Sequence, residues 1–437
     1  MKRADRILIG AGCFVLLLIS WIISLSSKST DVKQLELMEQ AAELMKDGIF
    51  ISAVPLLEEA AGYKGANTLA AEEQLKIAYL ELINSRGFSN KYILLLEKQM
   101  SRKDAHPDIF SEAANYHLEI SRIQEALEIL RTGIEKTGSS ELITIYEDNR
   151  YSYELNRTSY EYVAAIHGKT VQVRIDGLWG IAMADGIPVI PCEYEKISTF
   201  SAGCAIVLKD GEIYAVDKNN LRIAKLRENA TDFGNLADNR ISVQISGVWY
   251  RAMSDLIPGT MMFEEIGMYS DGYAAAKVNG KWGVIDTASK WMIPPEYDGI
   301  IQDELGRCCS RGAVFVRSGG QVYLLVDNNR VGGAYEDARP FSDEGYAAVK
   351  RGGLWGYIDL SGNVMVDYLY EDALSFGQHL AAIRQDGLWG YISIYGVVVI
   401  EPGFLEAKSF SGGSAPVLTE RGWQFITLVE FKKEVSL

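Results

Sequence analysis

A chain of 437 residues is too long for one ordinary hydrophobic core, so two or three domains are expected. Hydrophobic residues at 48% and charged residues at 23% exclude a disordered chain and a polytopic membrane protein alike. The acidic excess, 58 Asp+Glu against 43 Lys+Arg, excludes nucleic acid as a partner, since phosphate demands a basic face.

Residues 7–27, ILIGAGCFVLLLISWIISLSS, carry no charge, and about 20 apolar residues suffice to cross a bilayer as a helix. Lys2, Arg3 and Arg6 precede the run while only Lys28 closely follows it, a bias that holds the N-terminus in the cytoplasm. Residues 1–28 are therefore expected to be a cytoplasmic tail and transmembrane anchor. The expected location is the cell membrane, single-pass, with the later domains extracytoplasmic. A cleavable signal peptide competes, because Ser24 and Ser26 loosely imitate a cleavage site. A lipoprotein signal at Gly10-Ala11-Gly12-Cys13 fits less well, as the most hydrophobic residues follow the cysteine.

Over 31–150 the period is helical. Leu35, Met38, Ala42 and Met45 recur at steps of three and four, and a second stripe through Ala53, Leu56, Leu57 and Ala60 follows the break at Asp47-Gly48. The pattern returns at Gly87-Phe88 and at Ile123, Ala126 and Gly133; positions 53, 91 and 126 lie 38 and 35 residues apart. This region resembles about three degenerate tetratricopeptide-like repeats, with Lys91 and Lys98 where alanines are usual. The resemblance implies helical hairpins, serving as a groove for a protein partner or as a spacer.

Residues 160–430 repeat one element. Gly-Leu-Trp-Gly-Ile at 177–181 returns as Gly-Lys-Trp-Gly-Val at 280–284 and as Gly-Leu-Trp-Gly-Tyr at 353–357 and 387–391. Trp249 and Trp423 mark eroded copies, and Ile213 and Tyr323 stand where Trp is expected. The anchors at 179, 213, 249, 282, 323, 355, 389 and 423 are separated by 34, 36, 33, 41, 32, 34 and 34 residues. The step of 41 holds an insertion around 302–312. An Ala-Ala-Val type strand and a Phe-Ser-x-Gly corner precede the anchor, and an aromatic-acidic segment such as Tyr370-Glu371 closes each unit.

These motifs resemble the WG-repeat (KWG-repeat) family of bacterial proteins. The repeat-defining residues are Trp179, Gly180, Trp249, Trp282, Gly283, Trp355, Gly356, Trp389, Gly390 and Trp423, read as structural. A sheet of three or four short strands has too little apolar surface to stand alone, so neighbours must stack, with Trp between them. The expected fold class is α+β multidomain: a transmembrane helix, a helical-hairpin domain over 31–150 and an all-β domain over 160–430. That last domain is expected to be a propeller-like ring of seven or eight short sheets, closed by a strand near Tyr162–Ile166 or Thr170–Ile175. An open β-solenoid is the alternative.

Little in the chain suggests chemistry. The acids recur with the repeat, so repetition explains them, and Asp217-Lys218-Asn219-Asn220 and Asp327-Asn328-Asn329 read as hairpin turns. His106, His117, His167 and His379 have no metal spacing, and Cys308-Cys309 reads as a pair of small buried hydrophobes. No cofactor or metal is expected. The expected function is a non-enzymatic, membrane-anchored scaffold of the cell envelope that binds protein partners; a cell-wall or carbohydrate binder using its aromatic repeats is the alternative.

Overall fold

The computed structural model describes residues 29–225, 230–253 and 257–431. The chain divides into two compact units, Met1–Asp148 and Asn149–Leu437.

The first unit is helical: α1 (29–46), α2 (Phe50–Gly62), α3 (Thr68–Glu81), α4 (Phe88–Met100), α5 (Pro107–Glu119), α6 (Ile123–Thr137) and α7 (Ser140–Asn149). Gly48 ends α1 and Gly138 ends α6 in the left-handed conformation, and Pro107 opens α5, where a missing N–H costs nothing. Ala41, Ala53, Ala60, Ala71 and Ala78 are wholly buried, small residues that let the helices approach closely. Lys91 and Lys98 are accommodated by charge. Lys91 pairs with Glu58 at 2.8 Å, while Lys98 at 3.0 Å and Arg102 at 2.6 Å hold Glu72, whose side chain has no exposed surface.

The expected transmembrane helix over 7–27 lies outside the described residues. Among the described residues no helix is long and apolar enough to cross a membrane, because α1 to α7 alternate apolar stripes with charged faces. The fold class is corrected accordingly: seven described helices precede a β-propeller, with no supported membrane span. The single-pass cell-membrane location rested on that span alone and falls with it.

The second unit contains eight sheets, seven of four strands and one of five. Blade 1 runs Tyr162–Tyr194, blade 2 Lys196–Lys225, blade 3 Ala230–Phe263 and blade 4 Glu265–Tyr297. Blades 5, 6 and 7 run Gly299–Tyr335, Asp337–Tyr370 and Asp372–Phe404, and blade 8 begins at Glu406. Each is an antiparallel meander: a two- to four-residue inner strand, a six-residue strand, the anchor strand and an outer strand. The Ala-Ala-Val stretches are buried on both faces, as in Ala274, Ala275 and Ala276, because neighbouring blades cover both sides of every sheet. Turns such as Asp386-Gly387 have both φ angles positive (51° and 79°), the backbone that matches the twist of a two-residue hairpin.

Ring closure completes the last sheet and leaves each blade only short edges. Tyr153–Leu155 pairs antiparallel with the anchor strand Gly422–Leu428, and Tyr160 bridges Trp423. The outer strand of blade 8 thus comes from the beginning of the domain, and Tyr162–Val163 instead opens blade 1. This closure eliminates the open solenoid and moves the closing strand from where the sequence placed it.

Candidate functional site

The repeat-defining residues hold the blades together. Trp355, Trp389 and Trp423 are buried, and Trp179, Trp249 and Trp282 are half-buried. On the outer strand each of five indoles faces an aromatic partner: Tyr194, Phe263, Tyr297, Tyr370 and Phe404 face Trp179, Trp249, Trp282, Trp355 and Trp389. Cations cover several rings: Arg174 lies 5.4 Å from the Trp179 centroid, Lys277 5.7 Å from Trp282 and Arg339 4.6 Å from Trp355. The glycine after Trp has a steric cause. A Cβ on Gly180, Gly283, Gly356 or Gly390 would fall 2.4–2.7 Å from a carbonyl oxygen of the bulged outer strand.

The recurring acids are engaged by backbone. Carboxylates of Glu161, Glu195, Glu264, Asp298, Glu336 and Glu371 accept from Gly177, Asp210, Gly280, Gly319, Gly352 and Gly387, all in hairpin turns. Asp217 accepts from the amides of Asn219 and Leu221 in its own turn. Among the described residues no group of three or more His, Cys, Asp or Glu could hold a metal. His106 caps α5, burial lowers the pKa of His117 and His167, and the His379 amide donates to Glu344. Cys308 and Cys309 are buried free thiols, and burial raises both pKa values, that of Cys309 to about 11.

What the repeats vary lies near the axis. The residue following the inner strand's apolar position is Ala164, Ser198, Gly234 and Gly267 in blades 1–4, but Ile301, Arg339, Leu374 and Lys408 in blades 5–8. The small half makes room for the insertion. Leu305 is buried against Ala164, Ala237 and Met268, residues of three different blades. Asn235 donates to the Leu305 carbonyl at 3.0 Å, and the Met268 amide donates to that of Gly306 at 2.9 Å. A Cβ on Gly267 would fall 2.7 Å from the Gly306 carbonyl, so only glycine fits there. From the same loop Glu304 accepts from the Ala165 amide and, at 2.5 Å, from the buried Lys408 ammonium of blade 8. Burial opposes that ammonium, but Glu304 outweighs it and holds the lysine pKa above its usual value. The insertion is a plug that ties blades 1, 3, 4 and 8 to blade 5.

Beside the plug two depressions adjoin, of about 360 and 330 Å³. The first is lined by Gln172, Trp179, Glu195, Lys196 and Phe233, the second by Glu265, Met268, Trp282 and the plug residues Gln302–Gly306; Gly234 and Asn235 belong to both. The structure thus brings Trp179 and Trp282 to this surface, whereas the other four repeat-defining tryptophans line neither depression. The sequence marked the insertion but not its destination, since its contacts lie up to 139 residues away.

The model of the WG containing repeat matches residues 184–212, 260–282, 282–302, 333–355, 355–389 and 389–423. WG repeats therefore run through the C-terminal region, and the gaps coincide with the eroded anchors near Ile213, Trp249 and Tyr323. The match does not reach the helical unit, so its tetratricopeptide-like character has no such support. No curated protein matches the chain. Among solved structures, Kluyveromyces lactis Hsv2 is similar at 12% identity with a TM-score of 0.34, covering 58% of this chain and 92% of that one. The Cps50 (Swd1) beta-propeller domain of Myceliophteria thermophila is similar at 9% identity with a TM-score of 0.32, covering 63% of this chain and 99% of that one.

Proposed function

We propose that the propeller is a non-enzymatic platform for protein partners, docking at the axial surface formed by the two depressions and the plug. The observation that carries this reading is the division of labour among the repeats. The recurring acids and glycines are consumed in holding turns, while the residues after the inner strands and the insertion depart from the repeat at the axis, beside Trp179 and Trp282, which keep part of their surface open. A rigid closed ring presents such a surface without an ordering cost. Photo-crosslinking residues placed at Glu195 or Gln302 in cells should trap a partner that the same residue at Leu369 of an outer strand does not. Equal trapping at both places would refute the axial assignment.

A carbohydrate is the second reading, favoured by the two half-open indoles. Arg174 and Lys277 already lie over these rings and would have to move aside for a sugar to stack. Binding of purified glycans that is lost in Trp282→Ala, with an unchanged melting curve, would favour it over a protein partner.

A further inference from the structure

Neighbouring blades meet through a fixed pair of positions, and one seam breaks the rule. Two residues after each anchor tryptophan the side chain points into the next blade. Ile181, Val284, Leu324, Tyr357, Tyr391 and Phe425 occupy this position in six blades with no exposed surface, and Ala215 is buried there in a seventh; in blade 5 the register sets Val322, not Tyr323, at the anchor. Its partner is the corner residue of the next blade: Tyr357 packs on Phe376 with ring centroids 4.7 Å apart, and Tyr391 on Phe410 at 4.8 Å. Blade 3 carries Arg251 here, and the corner of blade 4 carries Tyr269.

A second arginine joins them. Arg240 opens the strand paired with that of Arg251, and the register Ser242↔Arg251 places both arginines on one face of the sheet. The Arg240 guanidinium carbon lies 5.8 Å from the Tyr269 ring centroid. Nε of Arg240, Nε of Arg251 and the hydroxyl of Tyr269 are all buried without a hydrogen-bond partner among the described residues. The Arg240 Nη1 donates to the Asp238 carbonyl at 2.7 Å, which adds no opposing charge. Among the described residues Asp286 is an acid near Tyr269, yet its carboxylate already accepts from the amides of Ala288 and Lys290; Ser289 lies beside the Tyr269 hydroxyl. Elsewhere in the ring the seam hydroxyls are satisfied: Tyr357 donates to the Leu374 carbonyl and Tyr391 to that of Lys408.

Two half-buried guanidiniums and a buried phenol keep donors unused among the described residues, and their chemistry describes the partner they would accept. It must be negatively charged, accept several hydrogen bonds, and be small enough to sit between two sheets. We infer that the seam between blades 3 and 4 is an oxyanion site, in which Arg240, Arg251 and the Tyr269 hydroxyl bind a phosphate or sulfate group. Guanidinium forks match tetrahedral oxyanions in geometry as well as charge. The inference is independent of the axial platform, which uses none of these residues.

The test is thermal unfolding of the full chain in inorganic phosphate, in sulfate and in chloride at matched ionic strength. Phosphate or sulfate at about ten times its Kd should raise the Tm of the propeller by about 2–4 °C over chloride. In Arg251→Leu, which restores the apolar pattern of the other blades, that increment should vanish while the protein still folds. A response to both anions that Arg251→Leu loses marks a general oxyanion site, and one to phosphate alone that Arg251→Leu loses marks a phosphate site; either supports the inference. An unmodified protein that treats all three salts alike, or an Arg251→Leu protein that keeps the full increment, would overturn it. Saturable binding of phosphate by calorimetry, absent in Arg240→Met, gives a readout that a merely structural arginine would not supply.

Discussion

The seam between blades 7 and 8 and the seam between blades 3 and 4 share one backbone plan and opposite chemistries. In the first, Tyr391 is wholly buried against Phe410 and its hydroxyl donates to the Lys408 carbonyl at 2.9 Å. In the second, Arg251 meets Tyr269, and neither the guanidinium Nε nor the hydroxyl finds a partner. The contrast teaches that the repeat specifies turns and strand register, while each seam is composed separately. A residue at one repeat position can therefore stabilise the ring in one blade and leave a charge to be answered in another.

The largest expected effect tests that contrast directly. Tyr391→Ala removes a fully buried aromatic and should cost about 4 kcal/mol in denaturant unfolding. Arg251→Ala, at the same repeat position, should cost less than about 1 kcal/mol in chloride buffer. Equal losses would mean that the two seams do the same work and that the comparison fails. Next in size is Gly356→Ala. Its Cβ would lie 2.7 Å from the Val366 carbonyl, so strain of about 3 kcal/mol is expected in the same measurement. In blade 3, where Tyr250 stands in place of that glycine, Tyr250 pairs with Met262 and the outer-strand bulge falls one position later, between Tyr250 and Ala252.

Much of this was legible in the sequence. Steps of 32–41 residues between anchors pointed to seven or eight blades, and the repeated Trp-Gly pair marked positions where Gly180, Gly283, Gly356 and Gly390 meet the outer strand closely. Three features were not. The closing strand Tyr153–Leu155 is three residues long and carries no repeat motif, so nothing local marks it. The insertion could be counted, but its seat depends on small residues in blades 1–4, each ordinary by itself. Arg251 belonged to a visibly eroded copy, yet its meaning requires Arg240 and Tyr269 beside it, which only the fold supplies. The span expected over 7–27 lies outside the described residues, and no described helix is long and apolar enough to supply one.

The plug offers a third and smaller effect. Lys408→Met leaves Glu304, which is about one-third exposed, without its cation, and should cost about 2 kcal/mol at neutral pH. The pH dependence follows from the raised lysine pKa. Stabilisation by the ammonium is complete below the unfolded value of about 10.4 and is lost as pH climbs through the higher folded value. The unmodified protein should therefore lose stability in alkaline buffer more steeply than Lys408→Met, read as Tm against pH from 9 to 12. Parallel curves would show that the pair does not fasten blade 8 to the plug.

The smallest effect is the sharpest discriminator between the seams. Tyr357→Phe removes a hydroxyl that donates to the Leu374 carbonyl at 3.0 Å, and should cost about 1 kcal/mol. Tyr269→Phe removes a buried hydroxyl that has no partner, so without phosphate or sulfate it should cost nothing or stabilise slightly, since desolvating an unmatched polar group is itself unfavourable. Burial raises the pKa of that phenol to about 12, so it stays protonated throughout a neutral-pH experiment and charge plays no part in the comparison. A Tyr269→Phe loss as large as that of Tyr357→Phe in chloride buffer would reveal a partner for the hydroxyl within the folded chain. The two seams would then differ in residue type but not in how they satisfy polar groups.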